Sequence, residues 1–332
     1  TANWLQKTPG YPANPIPFPF HNPSMISKRV SVYLMICTAV ALWGLSFIWT
    51  NQLLVYHIPV FTLIFTRLVL AAVVMLLIGK IGKRIQPIKN KDIKWFLLLA
   101  TLEPFIYFIG ETFGMKFTAS PSLSSVIISS IPIFGLLAGI AFYKEKVTVA
   151  NILGIIVTLP GLFLVVFGKW DFTLGAAHGL PGTNLQAGIL LLFLAVFSAV
   201  GYSVVVKKIA ADYSPFTITM YQHGLGAVYF LPFVLSYDIR NGTLSHITFG
   251  WNFWYPVLML AIFCSGIAFV FFITCIKELG VSKASTFNAL IPIITAGVCF
   301  IMGIETFKPV QLAGIIIVVT GVILSQSRSR RS

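Results

Sequence analysis

The chain has 332 residues, of which 57% are apolar and 10% charged, and its formal net charge at pH 7 is +14. An ordinary soluble domain has roughly 25% charged residues, so this composition, with a mean hydropathy of +0.91, excludes a soluble globular domain and equally a polar disordered chain. A polytopic membrane protein remains, and position has to explain its basic excess.

Residues 1–24 contain six prolines and precede Met25-Ile26-Ser27-Lys28-Arg29, which has the form of an initiator and a basic flank before a first membrane helix. Residues 1–27 are read as an N-terminal extension outside the membrane fold, natural or of cloning origin.

A membrane helix needs about 20 predominantly apolar residues. Ten such segments follow in chain order: 30–54, 60–79, 94–114, 122–142, 149–168, 186–206, 216–236, 253–275, 284–303 and 310–326. The expected fold is all-α, with ten transmembrane helices. Basic residues alternate with the connections. Eighteen of the 23 fall at the N-terminal flank, on every second loop and in the tail at 327–332; Lys116, Lys169, Arg240 and Lys308 alone occupy the other loops. The positive-inside rule then places both termini in the cytoplasm of a multi-pass protein of the cytoplasmic (inner) membrane. The charge orients the chain in a lipid bilayer and calls for no nucleic acid.

The two halves overlay. At an offset of 160, Ile131-Pro132-Ile133 falls on Ile291-Pro292-Ile293, Glu145 on Glu305, Gly154 on Gly314 and Gly161 on Gly321. The expected units are 28–168 and 186–326, joined by an outer linker at 169–185. Five helices per unit is an odd number, so the second copy enters from the opposite side. The result is two inverted five-helix repeats, an architecture that recurs among secondary transporters.

Trp43-Gly44-Leu45-Ser46-Phe47, Arg67, Gly114-Met115-Lys116-Phe117-Thr118-Ala119-Ser120, Ile131-Pro132, Lys144-Glu145, Gly154 and Gly161 form a pattern that the second half keeps in part, without the Trp and the Arg. The pattern resembles the EamA-type branch of the drug/metabolite transporter superfamily over residues 28–326. The resemblance implies ten helices around a central cavity, alternating access, and export of amino acids and other metabolites.

Ionisable groups at bilayer depth normally face a cavity or a partner. Arg67 lies about 10 Å below the outer edge of its helix at ~1.5 Å per residue. Glu103, Tyr107 and Glu111 share a helix face by their i, i+4, i+8 spacing. Arg67 falls between the two carboxylates in depth, so an ion pair with either is expected, and the second carboxyl is left for protons or substrate. Pro104 weakens the helix beside Glu103. Gln222 takes the place of Arg67 in the second copy, next to His223. Trp43 and Tyr202 are expected on the cavity walls, with Ser46, Ser129 and Asn288 as further contacts. Pro132 and Pro292 are expected in mid-helix, as kinks or hinges. Gly135 and Gly139 form a GxxxG, a close-packing pattern.

Cys37, Cys264, Cys275 and Cys299 lie in apolar runs without metal-ligand spacing, so no metal, disulfide or cofactor is expected. No P-loop, HExxH or GxSxG is present. The reading is a secondary transporter, not an enzyme, that exports amino acids or related compounds with or without protons, as monomer or homodimer. The rivals are an importer or exchanger of an anionic metabolite neutralised by Arg67, and an intramembrane enzyme built on Glu103 and His223.

Overall fold

A computed structural model describes residues 23–143, 148–167 and 184–325. The extension to residue 22, Lys144, Glu145, Lys146, most of the 169–185 linker and the tail lie outside the described residues. Among those described there is helix and no strand. The helices are α1 (Pro23–Val55), α2 (Val60–Ile81), α3 (Ile93–Ala100), α4 (Tyr107–Thr118), α5 (Pro121–Ile128), α6 (Ile131–Tyr143), α7 (Val149–Phe167), α8 (Leu185–Ile209), α9 (Pro215–Phe233), α10 (Trp251–Leu258), α11 (Ala268–Leu279), α12 (Val281–Thr286), α13 (Ile291–Ile301) and α14 (Pro309–Ser325). Wider π-type turns carry α3 into α4 (Thr101–Ile106) and α10 into α11 (Met259–Ile267).

Among the described residues, six helical stretches are long and apolar enough to cross a membrane: Val30–Val55, Val60–Ile81, Asn90–Thr118, Leu185–Ile209, Trp251–Leu279 and Ala284–Ile301. Shorter apolar helices cover Pro121–Leu137, Val149–Val165 and Pro309–Ser325. The bundle is apolar outside as well as in. Leu34, Leu77, Ile156, Phe163, Leu190, Phe300 and Ile316 all point outward. Water would not tolerate so much exposed hydrocarbon, and lipid does.

Helix ends carry their own signals. Ser120, Asn184 and Ser214 are N-caps whose side chains accept from the amides of Leu123, Ala187 and Thr217. α2 begins at Pro59 without a cap of its own. Asp238, just past α9, supplies it: Oδ2 accepts from the Thr62 amide at 2.9 Å and its hydroxyl at 2.7 Å. At the other end of the same pair, Ser214 before α9 donates to the Arg84 carbonyl beyond α2 at 2.7 Å. Each helix of this antiparallel pair therefore begins on groups from just past the end of its neighbour.

Glycines set the closest approaches. α7 and α14 pack so that a Cβ on Gly321 would meet the Gly154 carbonyl at 2.9 Å, and one on Gly314 the Gly161 carbonyl at 3.0 Å. The contacts are reciprocal: each glycine touches the counterpart of its own seven-residue neighbour. α4 and α8 meet in the same way through Gly110, Gly114 and Gly188.

Two expectations change. Pro132 and Pro292 lie in first turns and not in mid-helix. α5 stops at Ile128, Ser129 and Ser130 make a turn, and α6 starts at Ile131; a 3-10 turn (Phe287–Leu290) precedes α13. Proline is compatible with a first turn, where its missing N–H has no helical partner to lose. A Cβ on Gly135 would meet nothing within 4 Å, so this glycine marks no close helix contact among the described residues.

Gly321→Val should therefore cost at least ~1–3 kcal/mol, because backbone atoms cannot yield to the added methyls. Gly135→Ala, in open space, should be neutral or gain up to ~1 kcal/mol from helix propensity. Thermal melting of the purified chain in mild detergent would separate the two.

Candidate functional site

The helices line a cavity of about 60 Å³. At about 10–15 Å³ per water, that holds only a few water molecules. Its walls include Trp43, Ser46, Arg67, Glu103, Tyr107, Glu111, Tyr202 and Asn288, drawn from both halves of the chain. Most of the residues singled out in the sequence thus come together in one place. Ser129 does not: it is buried with its hydroxyl on the Val126 carbonyl of its own helix. Gln222 and His223 sit behind the wall, one layer out.

Glu103 owes its place to Pro104. A residue before proline is pushed away from helical angles, and Glu103 has φ −140° and ψ 118° inside the π-type turn. The peptide bond between them is cis. The neighbouring Leu102 carbonyl accepts from the Ser198 hydroxyl of α8 at 2.6 Å. Glu103 is 7% exposed, lines the cavity and makes no hydrogen bond among the described residues. Glu111 receives the Tyr107 hydroxyl at 3.3 Å.

The expected Arg67–glutamate ion pair is not formed among the described residues. Arg67, 3% exposed, donates from Nε to the Ser265 hydroxyl at 2.6 Å and lies over the Phe108 ring at 4.2 Å. A hydroxyl and an aromatic face satisfy the guanidinium in a way that a carboxylate was expected to do. Its terminal nitrogens donate to no protein group among the described residues. Arg67 and the two carboxylates therefore line one cavity without neutralising one another directly.

Ser265 belongs to the π-type turn Met259–Ile267, a feature often found at functional sites. Two carbonyls of this turn accept side chains from other helices. Ser265 O lies 2.6 Å from His223 Nε2, so that nitrogen carries the proton. Cys264 O accepts from Trp43 Nε1 at 3.2 Å. The run Cys264-Ser265-Gly266 is small enough for α1, α2 and α9 to close on it. A Cβ at Gly266 would meet the Met75 side chain at 2.9 Å. Neither Ser265 nor Cys264 stands out in the sequence as a site residue. Their only signal was this cluster of small residues in a helix of large ones.

Aromatic rings fill the space between the polar groups. Trp43 packs edge-on against Phe269 and Phe272, with ring centroids at 5.3 Å and 4.8 Å. Tyr202 donates to Gln222 Oε1 at 3.1 Å. Asn288 Oδ1 has no hydrogen-bond partner among the described residues although Asn288 is 93% buried. Such a group in a cavity wall normally has water or a ligand as its partner.

A helical membrane protein with an amphoteric cavity lined by both halves of the chain is thus defined, and its relatives give that class a family. The sequence pattern of the EamA-like transporter family matches residues 30–167 and again 186–326. The chain belongs to this family of multi-pass membrane transporters. Among relatives, it is 23% identical to uncharacterized transporter YetK of Bacillus subtilis over 92% of this chain and 90% of that one. It is 26% identical to uncharacterized transporter YyaM of the same organism over 89% and 93%. An uncharacterized transporter of Archaeoglobus fulgidus is 25% identical over 86% and 95%. A crystal structure with 16% identity matches 89% of this chain and 98% of its own with a TM-score of 0.63, a likeness of fold. The family and these relatives are transporters, not enzymes.

Ser265→Ala should destabilise the chain by ~1.5–3 kcal/mol, the worth of a hydrogen bond to a charged group. Ser203→Ala, whose hydroxyl only bonds back to the Ala199 carbonyl, should change stability by less than ~0.5 kcal/mol. Unfolding by titration of a denaturing detergent would measure both.

Proposed function

We propose that this chain is a secondary transporter of the cytoplasmic membrane that exports an amphoteric metabolite, an amino acid or related compound, by alternating access. On this reading ten helices form two inverted five-helix repeats, with both termini in the cytoplasm. The reciprocal contacts of α7 with α14, and of α2 with α9, support the repeat: inverted copies related by a two-fold axis exchange equivalent contacts.

The observation that carries the reading is the cavity's charge arrangement. Arg67 is held by Ser265 and Phe108, and Glu103 by no hydrogen bond among the described residues, so an incoming carboxylate and an incoming ammonium each have a group to meet. Trp43, Tyr202, Phe269 and Phe272 offer an apolar body between them. Glu103, unbonded and beside the helix break, is the group that would carry a coupled proton, with Glu111 in support. The cavity as it stands is too small for such a solute, so its walls must part to admit one.

One observation favours a second substrate class. The terminal nitrogens of Arg67 are unoccupied by protein, which suits an anionic solute taken up or exchanged. The enzyme rival loses its pair, since His223 stands behind the wall on the Ser265 carbonyl.

Proteoliposome flux across a panel of amino acids, amines and organic anions tests the reading. The wild-type chain should move at least one amino acid, faster under a pH gradient. Glu103→Gln should abolish the gradient's effect. Flux restricted to organic anions would favour the second class, and flux indifferent to both the gradient and the substitution would remove the proton role.

A further inference from the structure

Away from the cavity, α3 begins beside the end of α8. Trp95 lies there, half-buried, with two ammonium groups on its indole. Lys208 Nζ is 3.8 Å from the ring centroid and Lys94 Nζ is 5.6 Å from it. Both lysines are exposed, as is the adjoining Lys207. Among the described residues no carboxylate lies within ion-pair distance of either. Asp92, the nearest acidic residue along α3, accepts the Tyr213 hydroxyl at 2.8 Å. Asp212 is exposed on the turn after α8.

Two like charges converging on one ring repel each other. An indole face attracts each of them but neutralises neither. A shared anion would relieve the repulsion. The position restricts what that anion can be. Above this point α3 and α8 are apolar and face outward through Leu97, Leu98, Leu194 and Phe197. Tryptophan is enriched where hydrocarbon meets headgroups, and basic side chains at that level attract anionic lipid.

We infer that Lys94, Trp95 and Lys208 form a headgroup site for an anionic phospholipid. The phosphate is held between the two ammonium groups, the indole packs on the glycerol region, and the acyl chains lie along α3 and α8. The site is independent of the transported solute.

Native mass spectrometry of the full chain, given equal amounts of phosphatidylglycerol and phosphatidylcholine, tests this. Phosphatidylglycerol should be retained preferentially. Lys94→Gln and Lys208→Gln, both at exposed positions, should each lower the preference about five-fold, the share expected of one basic residue near an anionic headgroup. Lys80→Gln with Lys83→Gln removes two charges, one more than either single variant, from exposed positions at the C-terminal end of α2 and should leave the preference intact. Free inorganic phosphate should fail to displace the lipid. No preference, an equal loss in the Lys80/Lys83 variant, or displacement by phosphate would each overturn the inference.

Discussion

An arginine cannot rest in hydrocarbon without partners, and much of the interior is arranged around giving Arg67 its own. The partners are the Ser265 hydroxyl and the Phe108 face, and neither removes the charge. That choice has consequences. Had Arg67 closed on Glu103 or Glu111, the cavity would hold a finished ion pair and little to offer a solute. Held instead by a neutral hydroxyl, the cation keeps its terminal nitrogens available and leaves the carboxylates apart.

The neutral hydroxyl has to be placed, and the π-type turn at Met259–Ile267 does this. Its carbonyls fix Trp43 and His223 while its serine fixes Arg67. Three helices are thereby tied to one short segment of a fourth. The rest of the bundle keeps that segment in register by close contact. Lipid gives apolar helices no hydrophobic reason to associate, so packing must do it. The glycine contacts of α7 with α14 and of α4 with α8 supply such packing, and the Asp238 cap ties α2 to α9.

Much of this was legible in the sequence for a simple reason. Polar residues are rare in the apolar segments, so Trp43, Arg67, Glu103, Tyr107, Glu111, Tyr202 and Asn288 stood out, and the cavity collects them. The break at Glu103 was legible too, since proline constrains the residue before it. What was not legible depended on partners far apart in the chain. Ser265 is 198 residues from Arg67, and one serine among many carries no mark of its acceptor role. The ion pair was expected because opposite charges at matching depth suggest one, while a hydroxyl and a ring suggest nothing. Pro132 and Pro292 were misplaced because the helix ends before them lie within continuous apolar runs, where hydropathy does not register a turn. Ser129 lies off the cavity wall because a buried hydroxyl can equally well satisfy itself on its own helix.

The central claim is that this cavity is a passage that opens to one side at a time. Labelling tests it most directly. In a background without the four native cysteines, Asn288→Cys places a thiol on the cavity wall. Inside-out and right-side-out vesicles would be treated with a membrane-impermeant thiol reagent. The account predicts labelling from either side, with a transported solute shifting the balance between the two. A thiol that reacts from neither side, or whose reaction no solute of the panel alters, would contradict it.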